Sequence, residues 1–187
     1  MRANADRVVA TLGLPVVLKR PDSSFSQGVA RADDEMTLAA CLMRFFDTSE
    51  LVVAQGFVSS TFDWRIGVLD RRALFSARYH MASRHWQIQR SDGPTRRKHG
   101  KVESVPLDAA PATAVDVAVR AAGLIGDGLY GVDVKEVDGR FLVIEVNDNP
   151  NIDAGYEDVV AGDALYQAVM QVFLDRLDNQ SQRTGDP

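Results

Sequence analysis

Residues 131–151 read GVDVKEVDGRFLVIEVNDNPN. Two runs rich in valine, leucine and isoleucine flank the turn dipeptide Asp138-Gly139, so the stretch reads as a hairpin of two strands, Tyr130–Val137 and Arg140–Asn147. The loop decides which side chains share a face. A two-residue loop, Asp138-Gly139, pairs Val137 with Arg140 and mixes carboxylates with aliphatics on each face. A three-residue loop, Val137-Asp138-Gly139 with a left-handed glycine, sets Val132 against Ile144, Val134 against Leu142 and Tyr130 against Val146, and one face becomes wholly apolar. Hydrophobic patterning specifies register, so the three-residue loop is expected. The other face then gathers Asp133, Lys135, Glu145 and Asn147, with Asp133 diagonal to Glu145 at roughly 7–8 Å. Two carboxylates and an amide oxygen, with no His or Cys, form an oxygen donor set suited to Mg²⁺. The alternative is a solvated sheet face that happens to be acidic.

Outward from the hairpin, helices and antiparallel strands mix without clean βαβ alternation, which predicts an α+β class. Asp163–Leu177 follows as an amphipathic helix, and residues 179–187 are expected to be a disordered tail. Upstream, Pro111–Leu124 reads as a helix, with Gly123 an imperfect C-terminal signal. Residues 90–101 read as a polar loop. DWRIGVLD (63–70) and ALFSARYHM (73–81) read as a hairpin turning at Asp70–Arg72. The first part of the chain is built of smaller pieces. A helix over residues 3–12 stops at Gly13, and a strand spans Pro15–Arg20. Turn chemistry fills Pro21–Gln27, and a short strand covers Gly28–Ala32. A helix capped by Asp33 or Asp34 runs to Phe46, and a strand covers Leu51–Ala54. A boundary near 58–62 predicts a small lobe, 1–60, and a larger one, 61–178.

Composition is ordinary for a folded chain of 187 residues, with 45% hydrophobic and 25% charged residues. The net charge of −5 argues against broad nucleic-acid binding. The single cysteine, Cys41, excludes an internal disulfide framework and a cysteine zinc site, and fits a cytoplasmic setting. No apolar run approaches the ~18 residues of a membrane span, and the first residues do not read as a signal peptide. A cationic cluster, Arg84, Arg90, Arg96, Arg97, Lys98 and Lys101, reads as a solvated loop or as an attractor of anions such as a nucleotide.

Lys19 stands in the strand PVVLKR, just before Ser23, Ser24, Ser26 and Gly28. Backbone N–H groups of such a loop cradle phosphate oxygens, and a nearby ammonium adds charge; an ordinary turn is the alternative. Neither the Walker spacing nor the dinucleotide fingerprint is present. Arg65 and Arg78 lie on strands, either facing solvent or neutralising phosphate charge during transfer. His85 beside Trp86 reads as a packed pair.

The order of these pieces resembles the RimK-type ATP-grasp ligases, which join amino acids, often glutamate, to a carboxylate. In particular it resembles RimK-related proteins with a further N-terminal region. LGLPVVLKRPDSSFSQGV resembles the lid strand, its ATP-binding lysine and the phosphate loop. LVVAQGFV resembles the adenine hinge, DWRIGVLD the strand entering the large lobe, and GLYGVDVK with VIEVNDNPNIDAGYED the metal-binding strands and the segment after them. The resemblance runs from about residue 12 to residue 177. It implies an ATP-grasp fold and the following roles. Lys19 contacts nucleotide phosphate and adenine. Ser24, Ser26 and Gly28 belong to the loop over the phosphates. Gln55, Phe57 and Val58 flank adenine. Asp63 contacts ribose, and Arg65 also belongs to the nucleotide site. Asp133, Glu145 and Asn147 hold one or two Mg²⁺ ions, and Arg78, with Lys19, stabilises the acyl-phosphate step. Gly56 departs from the family, whose hinge commonly carries an acidic residue there.

The resemblance implies a ligase that uses ATP and Mg²⁺ to activate a carboxylate as an acyl phosphate, which an amine of an amino acid or peptide then displaces. The family's N-terminal domain and an earlier lysine or arginine have no counterpart in these residues, so a homodimer or a partner chain is expected to supply them. A nucleotide-binding module without turnover, a subunit of a split ligase and a Ca²⁺-binding sheet domain are the rival readings.

Overall fold

The computed structural model describes residues 2–21, 28–82, 86–91 and 97–184. They form two compact units, Met1–Ser59 and Ser60–Pro187.

In the first unit, helix α1 (Arg2–Leu12) ends where Gly13 takes φ +71° and its N–H bonds Val9 O at 2.9 Å. Strand β1 (Val16–Lys19) lies between β2 (Val29–Ala32) and β3 (Val53–Gly56), and both pairings are antiparallel. Helix α2 (Glu35–Phe46) is capped by Asp34, whose carboxylate accepts the Thr37 N–H at 2.7 Å and the Thr37 hydroxyl at 2.9 Å. Asp33, the other candidate, pairs with Arg31. Two apolar series share α2. Leu38, Leu42 and Phe45 are buried against Val16, Leu18 and Ala32, while Met36 and Met43 are left in solvent. Val16 and Leu18 point to this core, so Val17 and Lys19 lie on the opposite face of β1.

The second unit is a five-stranded antiparallel sheet, ordered β10-β9-β4-β5-β8, from β4 (Phe62–Leu69), β5 (Arg72–His80), β8 (Val102–Val105), β9 (Leu129–Val137) and β10 (Arg140–Asn147). Two three-residue strands, β6 (Gln89–Ser91) and β7 (Arg97–His99), pair with each other. Helix α3 (Ala112–Ile125) covers one face of the sheet. Its Ala114, Ala118 and Ala122 are fully buried, and their small side chains let the helix approach Trp64, Ile66, Val68, Val132 and Val134. The helix ends at Ile125, one residue beyond the expected Leu124, and Gly126 rather than Gly123 is its C-cap. Helix α4 (Asp163–Thr184) runs beyond Leu177 and so covers residues 179–184 of the expected tail.

The hairpin departs from the expected loop. Val137 pairs directly with Arg140 across the two-residue turn Asp138-Gly139, both residues at positive φ (+50° and +72°). Such a turn matches strand twist, and Asp and Gly tolerate it. The register then shifts between Val143 and Glu145, where Ile144 is the extra residue of a bulge. Before the bulge, Phe141 and Val143 face the α3 core, so Leu142 leaves the apolar face assigned to it from patterning. After it, Val146 returns to the core and Glu145 stands opposite Asp133. Patterning assumed one uninterrupted alternation; the bulge lets the strand keep the tight turn and still bury Val146.

Candidate functional site

The sheet face opposite α3 carries Asp63, Arg65, Asp133, Lys135 and Glu145. Asp133 lies between its cross-strand partners Glu145 on β10 and Arg65 on β4, so all three project from one face. Arg65 meets Asp133 fork to fork: Nε donates to Oδ1 and Nη2 donates to Oδ2, the latter at 2.9 Å. Both side chains are nearly buried, 12% and 11% exposed. Burial works against the charged guanidinium. The charge and hydrogen bonds of Asp133 more than offset it, helped by Tyr79 and Glu145, and raise the Arg65 pKa above the ordinary arginine value.

A second ion pair lies along the same strands. Lys135 donates to Asp63 and, at 2.6 Å, to the Ser60 hydroxyl, which in turn donates to Asp63 at 3.0 Å. Burial pushes the Asp63 carboxyl above its usual range against the pull of Lys135. Asp63, expected at ribose, is thus 6% exposed and engaged by these two groups.

Two residues that sequence reasoning left unassigned complete this face. Arg65 lies 4.7 Å over the Tyr79 ring, and the Tyr79 hydroxyl donates to the buried carboxylate of Glu157. Glu157 also accepts the Asp153 N–H at 2.7 Å and so fastens the segment after β10 to the sheet. The available signal was the alternation of β5, which places Tyr79 on the face opposite Arg78. Nothing local marks Glu157, which lies 78 residues from Tyr79 in sequence.

The oxygen groups suit a hard divalent ion. Asp133 and Glu145 are directly opposed carboxylates, and a carboxylate holding an arginine fork retains lone pairs for a metal. Asn147, two residues along β10, uses its amide oxygen to accept the Asn149 N–H at 3.0 Å, and that oxygen keeps a second lone pair. Among the described residues no group of three or more His, Cys, Asp or Glu side chains clusters for a metal. An open depression of about 270 Å³ beside the hairpin turn is lined by Ser60, Thr61, Phe62, Glu136, Asp138 and Gly139, and does not include this pair.

Arg78 is not brought to this face. It pairs across the sheet with Trp64, on the α3 side, with its guanidinium 4.8 Å over the Trp64 ring and 5.3 Å over Phe62. Glu103 lies 3.6 Å from it and accepts or shares a proton with His80 at 3.1 Å. The His80 hydrogen bond first, and then the Arg78 charge, hold the Glu103 carboxyl below its usual range.

In the first unit, Lys19 and Gln55 sit on the face of β1 and β3 away from the helices, since Val17 pairs with Gln55 and Lys19 with Val53. Phe57 N donates to Pro15 O at 2.9 Å, and Arg31 lies 4.0 Å over the Phe57 ring. Val58 follows half-buried. Gly28 has φ +68°, a backbone conformation that favours glycine, just before β2. Ser24 and Ser26, His85, and Arg84 and Arg96 of the cationic cluster lie outside the described residues, as do the side chains of Arg90, Arg97 and Lys98.

No helix among the described residues is long and apolar enough to cross a membrane. The chain is similar to a probable alpha-L-glutamate ligase of Rhodopirellula baltica, 28% identical over 143 residues; the match spans 75% of this chain and 33% of that protein. Among solved structures, D-alanine–D-alanine ligase from Bacillus anthracis matches with a TM-score of 0.64 at 19% identity, covering 94% of this chain and 59% of that one. The ATP-grasp ligase PsnB, complexed with a minimal precursor, matches at 0.58 and 20% identity, covering 89% and 51%. The chain thus spans about a third of the curated relative and between half and three-fifths of these solved chains. The model of the RimK-like ATP-grasp domain matches residues 2–165, nearly the whole chain, and the chain belongs to that family.

Proposed function

We propose that this chain binds ATP with Mg²⁺ and serves an acid–amine ligation in which a carboxylate is activated as an acyl phosphate and an amine then displaces the phosphate. The observation that carries this reading is the direct opposition of Asp133 and Glu145, with Arg65 on the same face, in a chain of the RimK-like ATP-grasp family. PsnB structures include one with Mg and ADP, which supports the same nucleotide class here.

Asp133, Glu145 and Asn147 would hold Mg²⁺, which neutralises phosphate charge and orients the transferred group when bound. Lys19, with the backbone near Gly28 and the loop bearing Ser24 and Ser26, binds phosphate; Gln55, Phe57 and Val58 bound the adenine. Asp63 supports the site through Lys135. Arg65 places a fixed guanidinium beside the metal-binding carboxylates, where charge develops on the transferred phosphoryl group. Such preorganised donors cost no reorganisation at the moment of reaction. Arg78 contributes from the other face, by holding Phe62, Trp64 and Glu103 in place. An α-amino acid such as glutamate is the proposed amine, by analogy with the glutamate ligase relative.

The test combines calorimetric titration of ATP, with and without Mg²⁺, with mass spectrometry of reactions containing ATP, Mg²⁺, glutamate and candidate peptides. Mg²⁺-dependent ATP binding that Glu145→Ala abolishes, with ADP and an amide as products, supports the reading. Binding without ADP formation assigns a nucleotide-binding module that works with another chain. Absence of ATP binding under any condition overturns it.

A further inference from the structure

Resting on the ATP reading above, we propose that Glu157 is a positioning residue: through Tyr79 it fixes the direction in which Arg65 presents its guanidinium to the nucleotide phosphates. The starting observation is a chain of contacts across the sheet. Asp133 holds Arg65 by a fork, the Arg65 guanidinium lies 4.7 Å over the Tyr79 ring, and the Tyr79 hydroxyl donates to Glu157. Tyr79 and Glu157 are both buried, and the reaction as proposed uses neither directly.

The fork alone does not set that direction. Both of its hydrogen bonds run to one carboxylate, and the torsion that turns a carboxylate on its Cβ is soft, so the two groups can swing together. The Tyr79 ring closes one side of the swing. Gly131 and Pro150 bound another. A Cβ at 131 would lie 3.1 Å from Arg65 Cδ and 2.8 Å from Pro150 Cβ, so the arginine stem and the proline both close over the bare glycine.

Glu157 holds both of these walls. One oxygen takes the Tyr79 hydroxyl; the other accepts the N–H of Asp153, in the segment that carries Pro150, at 2.7 Å. The Ser104 hydroxyl donates to the Glu157 backbone carbonyl at 3.4 Å and ties the same point to β8. A carboxylate suits the place because it accepts at two oxygens. An apolar residue would avoid the cost of burying a charge, but it would hold neither wall. The next residue, Asp158, faces elsewhere. It accepts the Gly155 N–H at 2.7 Å and the Tyr166 hydroxyl at 3.0 Å, and so fastens the same segment to α4 instead of to Tyr79.

The experiment compares wild type with Glu157→Ala, Glu157→Gln and Asp158→Ala. Its first readout needs no ligand: the ¹⁵Nε–H resonance of Arg65 and the rate at which that proton exchanges with solvent. In Glu157→Ala the resonance should move and exchange should quicken about tenfold, as a held group becomes free to open. In Glu157→Gln it should stay, because the amide oxygen still accepts the Asp153 N–H and the amide nitrogen can donate to the Tyr79 oxygen. In Asp158→Ala it should stay as well. The second readout is ADP formation with Mg²⁺, ATP and glutamate. In Glu157→Ala, kcat should fall about 10- to 100-fold, the cost of misplacing a group that acts in the transition state, while KM for ATP stays within about threefold. Glu157→Gln should recover most of the loss, which a merely structural role would not require of kcat alone. An unmoved Arg65 resonance in Glu157→Ala overturns the proposal, and so does an equal displacement in Asp158→Ala, which would assign the arginine's position to the segment as a whole. A kcat in Glu157→Gln as low as in Glu157→Ala also overturns it. Should Glu157→Ala fail to fold, Tyr79→Phe severs the same link and keeps the ring; an unmoved resonance there overturns the proposal equally. Failure of wild type to form ADP would instead overturn the ligase reading, while the resonance comparison would still decide whether Glu157 places Arg65.

Discussion

Asp133 and Glu145 stand directly opposite each other because Ile144 is absorbed in a bulge between them and the turn. Without that bulge the tight turn would set Ile144 against Asp133 and put Glu145 on the α3 side. The carboxylate pair thus depends on Ile144 being left out of the pairing, not on an uninterrupted alternation along β10.

Deleting Ile144 is therefore expected to preserve the pair. Glu145 would follow Val143 directly, still opposite Asp133, and Val146 would still face the core. Mg²⁺-ATP affinity should stay within about threefold of wild type, less than the ~1.4 kcal/mol of a tenfold change. Calorimetric titration checks it; loss of metal-dependent binding would show that the bulge itself shapes the site.

Lys135→Met should cost about 3–5 kcal/mol, because it strands the Asp63 carboxylate at 6% exposure. Asp63→Leu combined with Lys135→Met should recover most of that loss, since an apolar pair needs no counter-charge. Urea denaturation of both variants decides it. A double variant no more stable than the single one would mean that the pair is not the main cost.

Tyr79→Phe should destabilise by about 1–3 kcal/mol by leaving the Glu157 carboxylate short of a donor. Burial first, and the hydrogen bond to Glu157 second, raise the Tyr79 pKa well above the phenol range. The folded state therefore keeps a proton that the unfolded chain releases. This contribution is complete below the ordinary phenol pKa of about 10 and is lost as pH rises above it. Wild-type stability should fall more steeply than that of Tyr79→Phe in alkaline solution, and parallel curves would contradict the assignment.

Ile66→Ala should cost about 2–5 kcal/mol, since Ile66 is fully buried between sheet and α3. Thermal unfolding measures it. Arg78→Ala, on that same side of the sheet, is expected to lower stability while leaving the Mg²⁺ dependence of ATP binding unchanged; loss of that dependence would contradict the placement of Arg78 away from the metal-binding face.

Residue types and spacing by themselves determined a good deal of this protein: the α+β class, the two strands around Asp138-Gly139, the stop at Gly13 and the family. Each rests on interactions within a few residues, such as a left-handed glycine or alternating burial. The resemblance also singled out Asp133, Glu145 and Asn147 as candidate metal ligands. The tertiary structure decided the rest. The bulge at Ile144 follows from fitting Phe141, Val143 and Val146 together against α3, which no local pattern contains. The separation of Arg65 from Arg78 follows from the register of β4 on β5, which sets Arg65 opposite Ala77 and Arg78 opposite Trp64. The bonds of Asp133 to Arg65, Asp63 to Lys135 and Glu157 to Tyr79 join residues 68 to 78 positions apart. A buried charge must find a partner, but only the packed sheet determines which one lies within reach.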